Sequence, residues 1–248
     1  MWNAIKLFFH KLASPRHFYR IAGWLIPWLA ALTLIMLGAG LFLGLFVAPP
    51  DYQQGQSYRI IFVHVPSAWM SLFVYTFMAV LSAIYLIWNI KLADVMVRSS
   101  ALLGASFTFL ALSTGSLWGK PMWGAWWVWD ARLTSELILL FLYMGYLALV
   151  SAIEDPRTAA RAGSVLILVG VVNIPIIHYS VEWWSTLHQG PTVTKLDKPS
   201  IHLSMLIPLL LMAGAFQLYY FTVALMRARV EVLDRERRSD WAKEILAG

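Results

Sequence analysis

Five tryptophans crowd into one stretch, Trp118-Gly-Lys-Pro-Met-Trp-Gly-Ala-Trp-Trp-Val-Trp-Asp130, and six histidines are spread along the chain. Indoles bury a large area at low entropic cost and stack on flat π-systems, while neutral imidazole is a good ligand for iron. A large planar guest suits the first property, and a metalloporphyrin would need both. In a short helix lying on a membrane, Trp123, Trp126 and Trp127 at i, i+3 and i+4 share one face, with Trp118 and Trp129 flanking it. The competing reading is an aromatic belt, because Trp favours the headgroup level. A belt accounts for Trp24, Trp28, Trp88 and Trp241. It accounts less well for this stretch, since a belt distributes its indoles over several helix ends. Trp183 and Trp184 join the same side, so seven of 13 tryptophans gather there.

Four histidines stand near that side. His64 lies in Ile61-Phe-Val-His-Val-Pro66, His178 near the end of an apolar run, His188 in Trp184-Ser-Thr-Leu-His-Gln-Gly190, and His202 before another run. An ionisable group at membrane depth is a functional candidate, although each taken singly could be a hydrogen-bonded structural residue. His10 and His17 read as surface residues of the amino terminus. Haem carries two propionates, for which the planar fork of arginine is the matching group. Arg59 precedes the run holding His64, and Arg132 follows the tryptophans; either could instead be a snorkelling anchor. Asp130 is placed to cap a helix opening at Ala131, and Glu136 stands four residues beyond Arg132.

The elements that must position these residues are membrane spans. The chain is 60% hydrophobic and 13% charged, with a mean hydropathy of +0.67, against about 45–50% and about 25% in soluble domains. Runs of roughly 20 apolar residues cross a bilayer core, and six occur, over about 21–47, 60–90, 99–117, 133–153, 164–181 and 203–226. The first is too long for a signal peptide and lacks an A-x-A site. Of the 19 Lys and Arg, 14 fall in the amino terminus, 91–98, 154–163 and the tail. Only Arg59, Lys120, Arg132, Lys195 and Lys198 fall in the alternate loops. The positive-inside rule therefore puts both termini in the cytoplasm and the tryptophan-rich segment 118–132, between helices 3 and 4, outside. The net charge of +6 is then an orientation signal and requires no nucleic acid. The expected fold is an all-α integral membrane protein of six transmembrane helices in a single domain over 1–248, with a charged tail over 227–248 suited to lipid or a partner.

Several chemistries are excluded. Without cysteine there is no disulfide, thiolate nucleophile, iron–sulfur cluster or C-x-x-C-H attachment of haem. No phosphate-binding G-x-x-x-x-G-K-[ST] loop occurs. No acid–base dyad or activated nucleophile stands out, so the reading is positioning and not catalysis. The spans are also expected to lack the buried carboxylates of a proton-coupled transporter.

The run from Trp118 to Glu136 resembles the tryptophan-rich WWD motif of haem-handling membrane proteins. With six spans in 248 residues, with Tyr58-Arg-Ile-Ile-Phe-Val-His-Val-Pro66 and with the segment Val172 to Gly190, the chain resembles the CcmC family of the bacterial cytochrome c maturation system. The resemblance implies a protein that holds haem b non-covalently at the periplasmic face of the inner membrane and presents it to the haem chaperone CcmE. It implies a small membrane partner, CcmD, and an ATP-binding-cassette pair, CcmA and CcmB, which would supply any ATP hydrolysis. On matching motif positions it implies His64 and His188 as axial ligands, and Trp118, Trp123, Trp126, Trp127, Trp129 and Asp130 as the haem platform. Arg59 and Arg132 rest on the charge argument. The alternative is a bis-His b-type electron-transfer cytochrome. It fits less well because no histidine lies in the inner half of any span.

Overall fold

The computed structural model describes residues 14–184, 186–188, 190, 193 and 198–247; His10 and Lys195 lie outside them. Among the described residues eight α-helices follow one another: α1 (Pro15–Phe42), α2 (Ile61–Trp88), α3 (Lys91–Trp123), α4 (Ala131–Ala152), α5 (Pro156–Gly170), α6 (Asn173–Trp183), α7 (Leu203–Arg235) and α8 (Asp240–Ala247). A π-turn over Leu43–Val47 extends α1, and a 3-10 turn over Gln56–Ile60 leads into α2. Counting α5 and α6 together, six helical segments are long and apolar enough to cross a membrane. The described residues contain no strand. The all-α fold with six such helices is as the composition requires.

The helix ends differ from the ends of the apolar runs. Hydropathy falls off at Gly119-Lys120, but α3 continues to Trp123 and ends only at Gly124, whose φ of +74° reverses the chain. A left-handed glycine after the last turn is a strong helix stop, and its N–H caps the carbonyl of Lys120. Trp118 and Trp123 therefore sit on α3. The short surface helix expected for Trp123, Trp126 and Trp127 does not form, because the reversal at Gly124 separates Trp123 from the other two. Residues 125–130 run without helix, tied back by the Ser116 hydroxyl donating to the carbonyl of Trp126 at 2.7 Å. The fifth apolar run is also interrupted. Pro175 has no N–H and crowds the carbonyl four residues before it, and the break falls at Val171-Val172. Asn173 closes it by donating its amide to the carbonyl of Ser135 at 2.9 Å.

α1 packs along α7, α2 along α3, and α4 bridges α3 to α5 and α6. The core is rich in aromatic groups with polar ends. Tyr143, fully buried, donates to the carbonyl of Ser71 at 2.8 Å, and Tyr220 shares a 2.8 Å hydrogen bond with Ser100. Gly104 and Gly170 face Tyr143 and Tyr75, where a Cβ would collide with the rings. Small residues that let large ones approach are how helices associate where lipid removes the hydrophobic drive between them.

The charged tail folds back on the bundle. Asp94, 3% exposed, takes Arg235 at 2.7 Å and Arg98 at 3.4 Å, and Trp241 of α8 meets Tyr19 of α1. The expectation that the spans hold no buried carboxylate is corrected by Glu136. Glu136 is 8% exposed inside α4 and accepts from the Ser71 hydroxyl at 2.7 Å. A buried carboxylate survives where a donor compensates the lost water, and the donor comes from α2, 65 residues earlier.

Candidate functional site

Where α2 begins and α3 ends, with α4 beginning alongside, the helices leave a cleft of about 270 Å³. That is close to the lower size of clefts that hold organic ligands. Five of the ten expected site residues bear on it. His64, Trp118, Trp123, Arg132 and His188 line it directly. Asp130 stands behind, hydrogen-bonded to one of them.

His64 enters from the first turn of α2. Its Nδ1 lies 3.0 Å from the carbonyl of Ala111 and 3.1 Å from the Thr114 hydroxyl, both on α3. A carbonyl only accepts, so the hydrogen-bond pattern assigns the proton to Nδ1 and leaves the Nε2 lone pair free. The ring has room there because residue 115 is glycine; a Cβ would come within 3.0 Å of His64 Cε1. Trp118 meets the imidazole edge-on at 5.6 Å between ring centres. Its indole N–H donates to Gln54 of the preceding loop at 2.9 Å.

His188 comes from the segment after α6. Its Nδ1 lies 3.3 Å from Asp130 Oδ2, and its ring centre is 4.9 Å from that of Trp123. Asp130 caps α4 as expected, its Oδ1 accepting from the Leu133 N–H at 2.8 Å. Burial, and next the Arg132 charge, hold His188 below its ordinary value of 6.5, while Asp130 pulls it upward. At neutral pH it is the uncharged imidazole, the form that ligates a metal.

The two imidazoles share one plan. Each is anchored through Nδ1 by an oxygen and walled by an indole, with Nε2 uncommitted to any described residue. Metal-binding histidines almost always give their second nitrogen to a carboxylate or carbonyl, which fixes ring and tautomer. The donor set therefore fits an axial pair for iron. Among the described residues there is no cluster of three or more His, Asp or Glu that could hold a bare ion. The chemistry available is ligation by two nitrogens within an aromatic and partly apolar wall.

The other expected site residues fall elsewhere. Trp126 and Trp129 are 55% and 75% exposed and lie outside the cleft, as do Trp183 and Trp184. Trp126 lies under the Lys120 ammonium at 5.9 Å. Trp127 packs edge-on against Trp129, its indole N–H buried without a hydrogen-bond partner among the described residues. Arg59 turns away from the cleft and donates to the carbonyl of Ala48 at 2.8 Å. Arg132 lines the cleft and makes no ion pair with Glu136 among the described residues. His178 and His202 are exposed; His178 reaches the cleft wall, whereas His202 caps α7.

Sequence reasoning missed Gln54, Thr114 and Gly115, and gave Glu136 only a local role. Glu136 carried a signal, an acid in an apolar helix. The other three carried none, because their partners are 50 to 64 residues away.

The sequence matches the model of the CcmC family, described as Heme exporter protein C, over residues 8–243. It is 52% identical over 246 residues to Heme exporter protein C of Escherichia coli strain K12, covering 99% of this chain and 98% of that one. It is 51% identical over 245 residues to the Haemophilus influenzae protein of the same name, with the same coverage. Against that of Paracoccus denitrificans it is 39% identical over 235 residues, covering 94% and 97%. With a match of this extent, and with six helices long and apolar enough to cross a membrane, the chain belongs to the CcmC family.

Proposed function

We propose that this protein binds haem in the cleft between His64 and His188 and hands it on for cytochrome c biogenesis. The observation that carries the reading is the paired anchoring of the two imidazoles, His64 on the Ala111 carbonyl and His188 on the Asp130 carboxylate. The names of its relatives, heme exporter proteins, support the same cargo.

The roles follow from position. His64 and His188 would hold the iron through Nε2, the nitrogen that their Nδ1 anchors leave uncommitted. Trp118 and Trp123 hold the edges of the macrocycle, and Arg132 takes a propionate. Haem b is held without a covalent bond in this reading, and the chain has no cysteine for a thioether attachment. The exposed indoles of Trp126, Trp129, Trp183 and Trp184 offer an apolar surface beside the cleft, suited to docking the chaperone CcmE. The charge bias of the loops supports an orientation with this end of the bundle away from the cytoplasm, which in this reading is the periplasmic face of the inner membrane. Assembly with CcmD, CcmA and CcmB, and any ATP hydrolysis by the last two, belongs to the same reading.

A visible spectrum of the purified protein tests it. The expected spectrum is that of six-coordinate, low-spin haem. His64→Ala and His188→Ala each alter it, and His178→Ala leaves it alone. An unchanged bis-His spectrum in the His64/His188 double variant would refute the ligand pair.

A further inference from the structure

The far end of the bundle, away from the tryptophan-rich cleft, holds a second cavity of about 480 Å³ between α1, α7 and α8. Arg16 and Arg20 line it from α1, and Arg229 lines it from α7. Tyr19 and Trp241 are its aromatic walls, and Glu244 is the one acid among the lining residues, leaving an excess of two positive charges.

These arginines differ from their neighbours. Arg98 and Arg235, close by, are both committed to Asp94. Arg16, Arg20 and Arg229 have no ion-pair partner among the described residues. Arg229 is nevertheless fixed. Its guanidinium carbon lies 4.1 Å from the centre of the Tyr19 ring. One turn along α1 from Tyr19, residue 23 is glycine, where a Cβ would stand 3.1 Å from that carbon. Packing holds this side chain in place, and it has no ion-pair partner among the described residues. A guanidinium cluster with one fixed member matches the several oxygens of a phosphate.

Position decides where the phosphate comes from. Arg16, Arg20 and Trp24 follow at i, i+4 and i+8 along one side of α1. Trp24 and Trp28, a turn later, are 66% and 62% exposed, and open apolar residues continue beyond them. Arginine, then indole, then bare apolar surface repeats the order of headgroup, interface and acyl chain. A soluble phosphate would have no use for that flank. We propose that this cavity binds the phosphate of an anionic phospholipid, with Arg16, Arg20 and Arg229 as donors and the flank of α1 as the bed of the acyl chains.

The test uses the full chain in detergent, titrated separately with phosphatidylglycerol, phosphatidylcholine and inorganic phosphate, with bound ligand counted by native mass spectrometry. Phosphatidylglycerol is expected to bind about tenfold or more tightly than phosphatidylcholine, and R16Q/R20Q to lose about tenfold of that affinity. Both arginines are exposed, so their replacement leaves the core intact. R157Q/R161Q, exposed bases in the first turns of α5, is the charge-matched control and is expected to lose less than about twofold. R229K keeps the charge and loses the planar fork, and is expected to weaken binding as well. Equal losses in the two double variants would reduce the effect to general surface charge and overturn the site. Equal affinity for phosphatidylcholine would overturn it too. Displacement of the lipid by equimolar inorganic phosphate would assign the cavity to the free anion and overturn the lipid.

Discussion

Asp130 joins His188 to the start of α4: one carboxylate oxygen caps the helix at Leu133, and the other stands 3.3 Å from His188 Nδ1. A single side chain thus does two jobs, and two substitutions separate them. Asparagine caps helices about as well as aspartate, so Asp130→Asn keeps the α4 terminus and weakens only the hold on the imidazole. Losing such a partner typically costs about 10–100-fold in metal affinity. Asp130→Ala adds loss of the cap, about 1 kcal/mol. Haem titration should show both variants impaired, and thermal unfolding should show only the alanine variant destabilised. Full haem affinity in Asp130→Asn would release the carboxylate from any role at His188.

That relationship also marks what a reader of the sequence can and cannot see. The spans are legible because a bilayer demands about 20 apolar residues from any helix that crosses it. The Asp130 cap is legible because its partner is three residues away. The tryptophan segment is legible in content but not in shape. Its i, i+3, i+4 spacing promised a helix, and the left-handed Gly124 broke that spacing after Trp123. Arg59 and Arg132 look equivalent in sequence, yet one faces the cleft and the other the carbonyl of Ala48. Nothing local distinguishes them, since the difference is made by the loop between α1 and α2. The buried pair of Glu136 and Ser71 is invisible for the same reason.

The environment of His188 gives stability a pH dependence. Burial and Arg132 lower its affinity for protons in the folded state, whereas in the unfolded chain it titrates near 6.5. Below 6.5 the unfolded chain takes up a proton that the folded one refuses, so stability falls as pH drops through this range toward the lowered folded value. The contribution is fully present above 6.5. Thermal midpoints of the haem-free protein between pH 7.5 and pH 5, values bracketing the ordinary His titration of about 6.5, should decline more steeply in the parent than in His188→Gln. Arg132→Gln removes the second cause and should flatten the decline. A parent and a His188→Gln variant with the same slope would show that this imidazole is not held neutral.

Gly115 gives the most local test of the His64 pocket. An alanine Cβ would stand 3.0 Å from His64 Cε1, so the ring must shift by a few tenths of an ångström from its place against Ala111 and Thr114. Overpacking of this size costs about 1–3 kcal/mol where nothing yields. The imidazole can yield, at the expense of its Nδ1 hydrogen bonds. Gly115→Ala should therefore keep its helix content by circular dichroism and show a reduced six-coordinate fraction in the haem spectrum. An unaltered spectrum would mean that the exact seat of His64 does not matter.

The two arginines once equivalent in sequence now make opposite predictions. Arg132 lines the cleft with no ion-pair partner among the described residues, so its charge is available to a carboxylate on the cargo. Charge-assisted hydrogen bonds contribute about 1.5–3 kcal/mol, or about 10–150-fold in affinity. Arg132→Gln should lose haem affinity within that range and keep its thermal midpoint near neutral pH, because no ion pair among the described residues is broken. Arg59 spends one nitrogen on the Ala48 carbonyl, and its Nε is buried without a partner. Its replacement by Gln should alter stability by about 1 kcal/mol while haem affinity stays within about twofold. Haem with its propionates esterified supplies the control. It should bind the parent and Arg132→Gln alike, since the charge that Arg132 answers is gone. Equal haem losses in the two arginine variants would place the propionates at both sites and defeat the assignment to Arg132 alone.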